Sequence, residues 1–148
     1  MFERTLMTGA AALLVMIPLT VAAQAPQPSP PIVPYGLSIT TENAKKVAAA
    51  AIAEAEKNNV KMAVAVVDTG GYLIYFERMQ DTQTGSVELA IGKARSAALF
   101  RRPTKAFQDV LAAGGDGLRV LGLTGAVPVD GGVPLIADGK LIGAVGSS

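Results

Sequence analysis

The stretch AVAVVDTGGYLIYFERM, residues 63–79, decides the fold. Around its first half, VKMAVAVVD alternates two apolar sets. Met62, Val64 and Val66 point one way, and Ala63, Ala65 and Val67 the other. A strand that is apolar on both faces is covered on both, which predicts a central position in a sheet. Asp68-Thr69-Gly70-Gly71 is a turn, because Asp favours turns and glycine accepts positive φ at no steric cost. YLIYFERM then returns as a second strand, so the stretch reads as a β-hairpin.

Upstream, the spacing predicts a helix over 41–57, capped by Thr40 or Thr41 and carrying Glu42 in its first turn, where the dipole favours an acid. Ala44, Val47, Ala48, Ala51, Ile52 and Ala55 form one apolar stripe, and the pair Asn58-Asn59 ends the helix. Downstream, TGSVELAIGKARSAALF is a second helix with Val87, Ala90, Ile91, Ala94 and Ala98 on its buried side. Gly92 weakens it by about 1 kcal/mol against Ala and marks close packing. TKAFQDVLAA is a short third helix capped by Thr104, LRVLGL a third strand, and PLIADGKLIGAVG a second hairpin turning at Asp138-Gly139. The order α-β-β-α-α-β-β-β implies an α+β fold with an antiparallel sheet.

The N-terminus reads differently. Arg4 precedes an apolar run from Thr5 to Leu19, and small residues follow in TVAAQA. This is the pattern of a signal peptide over residues 1–23, cleaved after Ala23 with Val21 at the −3 position. Export implies a periplasmic or secreted protein. The uncharged stretch is also long enough to span a bilayer, but Pro18 and the polar, proline-rich sequel favour cleavage. Residues 24–37 hold five of the nine prolines and read as an extended linker, with Tyr35 available to pack on a neighbouring subunit. Residues 38–148 are the folded domain.

The 148 residues suit one domain, and half of them are hydrophobic. A net charge of +1 and the absence of Trp argue against nucleic acid. With no Cys and no His, thiol nucleophiles, Ser-His-Asp triads and the usual zinc sites are excluded. Any acid–base work falls to carboxylates, Lys or Tyr. Glu54, Glu56 and Glu88 show no paired spacing that singles out a metal site.

VVDTGGYLIYFERM, ELAIGKARSAALFRRPT and DGGVPLIADGKLIGAVG, in that order, resemble the GlcG/HbpS family of haem-binding and haem-degrading-related proteins. The resemblance covers about residues 38–146. It implies a profilin-like domain with a five-stranded antiparallel sheet flanked by helices, a homo-oligomer, and small-ligand binding, often of haem, rather than catalysis. In some exported members it implies a sensor-kinase partner. Two departures stand out. The family's RMD is Arg78-Met79-Gln80 here, with Asp81 one place later, and the family continues past GAVG into an acidic helix where this sequence reads Gly146-Ser147-Ser148. Either the sequence is truncated there or the helix is absent; a missing helix is expected to expose apolar surface.

Haem needs an apolar slot and cations for its propionates. Lys93, Arg95, Arg101, Arg102 and Lys105 fall within thirteen residues with no acid between them. Lys93, Arg101 and Arg102 are therefore candidates for an anion clamp, or simply for a solvated helix face. The resemblance adds Arg78 as a ligand-facing arginine; the alternative is an ion pair with Glu77. It also makes Ser96, at the family's threonine position, and Thr104 candidate axial ligands through their hydroxyls. Ser96 can instead bond back to its own helix. Tyr72, Tyr75, Met62 and Met79 are chemically possible iron ligands. Gly131 and Gly132 can present backbone N–H groups to an anion. An accessory protein or enzyme acting on a small hydroxy acid such as glycolate, or on a corrinoid, is the alternative reading.

Overall fold

A computed structural model describes residues 32–148; the expected signal peptide and the linker up to residue 31 lie outside them. Helix α1 (Thr41–Lys57) starts where expected, with the Thr40 hydroxyl accepting the Asn43 N–H at 3.3 Å. It ends at Asn58, and Asn59 takes a left-handed φ of 54°. The hairpin follows as β1 (Ala63–Val67) and β2 (Leu73–Arg78). One carboxylate oxygen of Asp68 accepts both the Gly70 and Tyr72 N–H groups at 2.8 Å, which closes the turn. Helices α2 (Ser86–Phe100) and α3 (Thr104–Ala112) come next, then a 3-10 helix (Gly115–Gly122). The chain finishes with β3 (Gly132–Ala137) and β4 (Lys140–Ser147), joined at Asp138 and Gly139, both at positive φ as a tight hairpin requires.

The fold is α+β: an antiparallel sheet flanked by helices. It has four strands in the order β2-β1-β4-β3, not the five expected. The residues read as a third strand, LRVLGL, wind into the 3-10 helix instead. The local reasons are the left-handed Gly114 and Gly115 and the spacing of Leu118 and Leu121, three apart rather than two. Val120 is its one buried residue. A short apolar run does not by itself distinguish strand from helix.

β1 is fully buried along its length. Its two faces meet different partners, as the alternation requires. Ala63, Ala65 and Val67 pack with Ala144 against Ala90, Ala94, Ala97 and Ala98 of α2. Val64 and Val66 pack against Ile39, Ala44, Ala48 and Ile52 on the α1 side. The α2 seam is set by glycine. A Cβ on Gly146 would lie 2.1 Å from the Ala90 carbonyl oxygen, and one on Gly132 would lie 2.4 Å from that of Lys93. Gly92, expected to mark close packing, does not: a Cβ there would meet only a methyl group of Val127, at 3.4 Å. Against α2 the tight approaches belong to the strand glycines Gly132 and Gly146.

The segment before α1 continues the sheet along β4, past the end of β1. Leu141 donates to the Pro34 carbonyl at 2.8 Å, and Gly36 donates to that of Leu141 at 2.7 Å. Tyr35 thereby forms a parallel bridge with Leu141.

Candidate ligand site

The cations of α2 separate into two environments. Lys93 turns inward. It is 5% exposed, and its Nζ donates to the Ser147 carbonyl at 2.9 Å beside Gly131. Burial holds its ammonium below the ordinary lysine range, opposed by the charge of Asp130. Thr104 is fully buried, and its Oγ1 accepts the Gly132 N–H at 2.9 Å. It does not cap α3, whose preceding residue is Pro103. Ser96 is also fully buried and accepts the Val127 N–H at 3.1 Å, tying α2 to the following loop rather than to its own backbone. These three side chains fasten α2 and the start of α3 to the loop before β3 and to the end of β4.

The glycine pair in that loop does not offer free donors. Gly131 N–H goes to the Asp130 carboxylate at 2.7 Å, Gly132 N–H to Thr104, and Asp130 N–H to Gln108 at 2.8 Å. The anion cradle expected of this turn is already filled by the chain's own oxygens.

The C-terminal end of α2 is open. Arg101 closes the helix in the left-handed conformation at φ 51°. Its Nη1 donates to the Val33 carbonyl at 3.1 Å, and its guanidinium lies 5.0 Å from the centre of the Tyr35 ring. Tyr35 packs within its own chain here, its hydroxyl donating to the Leu99 carbonyl at 3.3 Å. Arg102 is exposed, bonds the Phe100 carbonyl through Nε at 3.3 Å, and lies 5.7 Å from the Phe107 ring. Phe107 in turn meets Phe100 edge-on at 5.1 Å. Among the described residues no carboxylate lies within ion-pair distance of Arg95, Arg101 or Arg102, whereas Lys105 is paired with Asp109, which raises its basicity.

The β1–β2 turn reaches this same end. A Cβ on Gly71 would touch Arg95 Cγ at 3.0 Å and Leu99 Cγ at 3.5 Å. The next residue, Tyr72, is 69% exposed, and Leu73, Leu99 and Tyr35 are exposed too. Aromatic and apolar surface thus lies beside unpaired arginines, a combination that suits a flat apolar ligand with carboxylates. The sequence does not single out Tyr72 from the other possible iron ligands; its exposure follows from its place just after the turn.

Arg78 is not part of this end. The register sets it opposite Ala63, which bonds Ser148, at the other end of the sheet from Tyr35 and Leu141. It forms no ion pair with Glu77, which instead accepts from the Tyr75 hydroxyl at 3.0 Å; that bond raises the phenol's pKa. A separate cavity of about 230 Å³, lined by Gly36, Leu37, Asp138 and Lys140 among others, is smaller than the ~300–1,000 Å³ usual for ligand pockets. No cluster of three or more acidic or imidazole or thiol side chains gathers among the described residues.

The fold defines a small α+β domain, an antiparallel sheet flanked by helices. The model of the family described as "Haem degrading protein HbpS-like" matches residues 39–148, and the chain belongs to that family. It is 37% identical to Protein GlcG of Escherichia coli K12 over 110 residues, 74% of this chain and 81% of that one. Among solved structures it is similar to HbpS of Streptomyces reticuli, as an E→D double mutant, with a TM-score of 0.69 and 28% identity over 85% of each chain. It is also similar to the PduOC:heme complex, with a TM-score of 0.67 and 30% identity, covering 76% of this chain and 83% of that one.

Proposed function

We propose that this is an exported, self-associating haem-binding protein, acting in the periplasm or outside the cell, without strong catalysis of its own. The observation that carries the reading is the end of α2, where Arg95, Arg101 and Arg102 have no carboxylate partner among the described residues and border exposed aromatic surface. The similarity to a solved haem complex supports the same ligand. Export is supported by the basic, apolar and small-residue order of the first 23 residues. Self-association is supported by Leu118, Leu121 and Leu123, all exposed on the 3-10 helix and its exit.

The residues fit the carboxylate end of haem better than its iron. Arg101 and Arg102 would hold propionates through charge-assisted hydrogen bonds, with Tyr72 and Leu99 against the ring. Lys93 stays apart, turned toward Ser147. The oxygens of Ser96 and Thr104 each already accept a backbone N–H in a fully buried setting, so neither is presented to a ligand in this conformation. Tyr72 is the more exposed of the two phenols at this end, the Tyr35 hydroxyl being bonded to Leu99. Bound haem would supply redox or sensing chemistry; the chain supplies the cations and the apolar contact.

Titration of the full chain with hemin, read against free hemin, tests this. A saturable Soret shift at a defined stoichiometry supports the reading. A folded protein that gives no saturable shift, yet binds glycolate or a corrinoid, contradicts it in favour of the alternative.

A further inference from the structure

Arg101 is not idle in this structure, and what occupies it is part of the same chain. Its guanidinium meets a neutral carbonyl, that of Val33, and the face of Tyr35, with no acid in reach among the described residues. A carboxylate offers the same fork a charged, bidentate partner, which is the stronger interaction. Resting on the reading of Arg101 as a carboxylate-binding residue, we propose that residues 33–36 are a strap that competes with an anionic ligand for Arg101.

The way the strap is held suits displacement. Two backbone hydrogen bonds to Leu141 and the Tyr35–Arg101–Leu99 contacts fix it. Apolar burial contributes little, since Ile32, Tyr35 and Leu37 are exposed, Leu37 to 92%. Segments with few buried contacts open at low free energy. Arg101 also sits at left-handed φ, a conformation glycine most often takes at helix ends. A carboxylate that takes the Nη1 side of the fork displaces the bond to Val33. By reciprocity, the factor by which opening the strap strengthens ligand binding is the factor by which the ligand favours the open strap.

The test is hemin affinity of the full chain against Tyr35→Ala and Tyr35→Phe, with hydrogen exchange of the peptides covering Gly36 and Leu141 followed in parallel. Tyr35 is half-exposed, so the variants retain the fold. Tyr35→Ala is expected to bind about fivefold tighter or more, within the usual range of coupling between sites, with Tyr35→Phe in between. Hemin is expected to speed exchange at Gly36 and Leu141 in the wild type. A saturable Soret shift with unchanged or weaker affinity in Tyr35→Ala overturns the strap and leaves the haem reading standing. No saturable shift in either form overturns both.

Discussion

Gly146 has no room for a methyl group, its nearest backbone oxygen lying 2.1 Å from where one would sit, whereas Leu121 on the 3-10 helix is 66% exposed. Both belong to the same domain, and both lie in glycine-rich stretches. In the first region, Gly132, Gly146 and the alanines of α2 bring helix and sheet backbones together, and no fully buried side-chain nitrogen or oxygen among the described residues lacks a hydrogen-bond partner. In the second, Gly114, Gly115 and Gly125 serve the turns of the backbone, at positive φ, with Gly114 and Gly115 facing open space; Gly117 is the crowded one, its Cβ position lying 2.0 Å from the Val110 carbonyl oxygen of α3. One set of glycines makes a seam that tolerates no change. The other makes a lobe that leaves Leu118, Leu121 and Leu123 exposed, and it is there and at the end of α2 that apolar surface is left for partners and ligands.

The contrast can be broken from the seam side first. Gly146→Val drives a side chain into the α2 backbone and is expected to cost about 3 kcal/mol or more, measured by urea denaturation. A variant of near wild-type stability would mean that α2 does not sit this close. Thr104→Val keeps the volume but orphans the Gly132 N–H, with an expected loss of about 1–3 kcal/mol. If its stability is unchanged and its hemin spectrum altered instead, Thr104 serves the ligand rather than the seam.

Lys93 gives a pH signature. Its folded pKa is lowered, so between that value and the ordinary 10.5 the unfolded chain binds more protons. Stability contributed through this group therefore rises with pH across that window. The difference in urea midpoint between wild type and Lys93→Met should shift in favour of wild type as pH climbs toward 10.5; a flat difference would show that burial does not govern this amine.

The smallest effect on stability is expected in the lobe. Leu121→Asp should alter the monomer by no more than about 0.5 kcal/mol, while sedimentation should reveal weakened self-association. Large destabilisation would mean that the lobe is packed as tightly as the seam.

The hairpin, the central strand and both long helices were legible because each has a clear period: two in MAVAVV, between three and four in the alanine stripe of α1. The family was legible because three motifs follow one another in order, the last of which, DGGVPLIADGKLIGAVG, holds the crowded Gly132 and Gly146. LRVLGL misled because six residues are too few to separate the periods, and positive φ at Gly114 and Gly115 cannot be read from composition. At the site, sequence proximity grouped Lys93 with Arg101 and Arg102, but eight residues along a helix span two turns and change face. The N–H donors to Ser96 and Thr104 come from residues 28 or more positions away, and so does the Val33 carbonyl on Arg101. Such contacts depend on tertiary structure and leave no local pattern.

The central claim is that the arginines closing α2 hold the carboxylates of a flat apolar ligand. The most direct measurement compares hemin with its dimethyl ester, in wild type and in the double variant Arg101→Ala with Arg102→Ala. The account expects wild type to prefer the free acid by about tenfold or more, as charge-assisted hydrogen bonds imply, and the double variant to lose that preference while keeping its fold. Equal binding of acid and ester by the wild type, or an undiminished preference in the double variant, would contradict it.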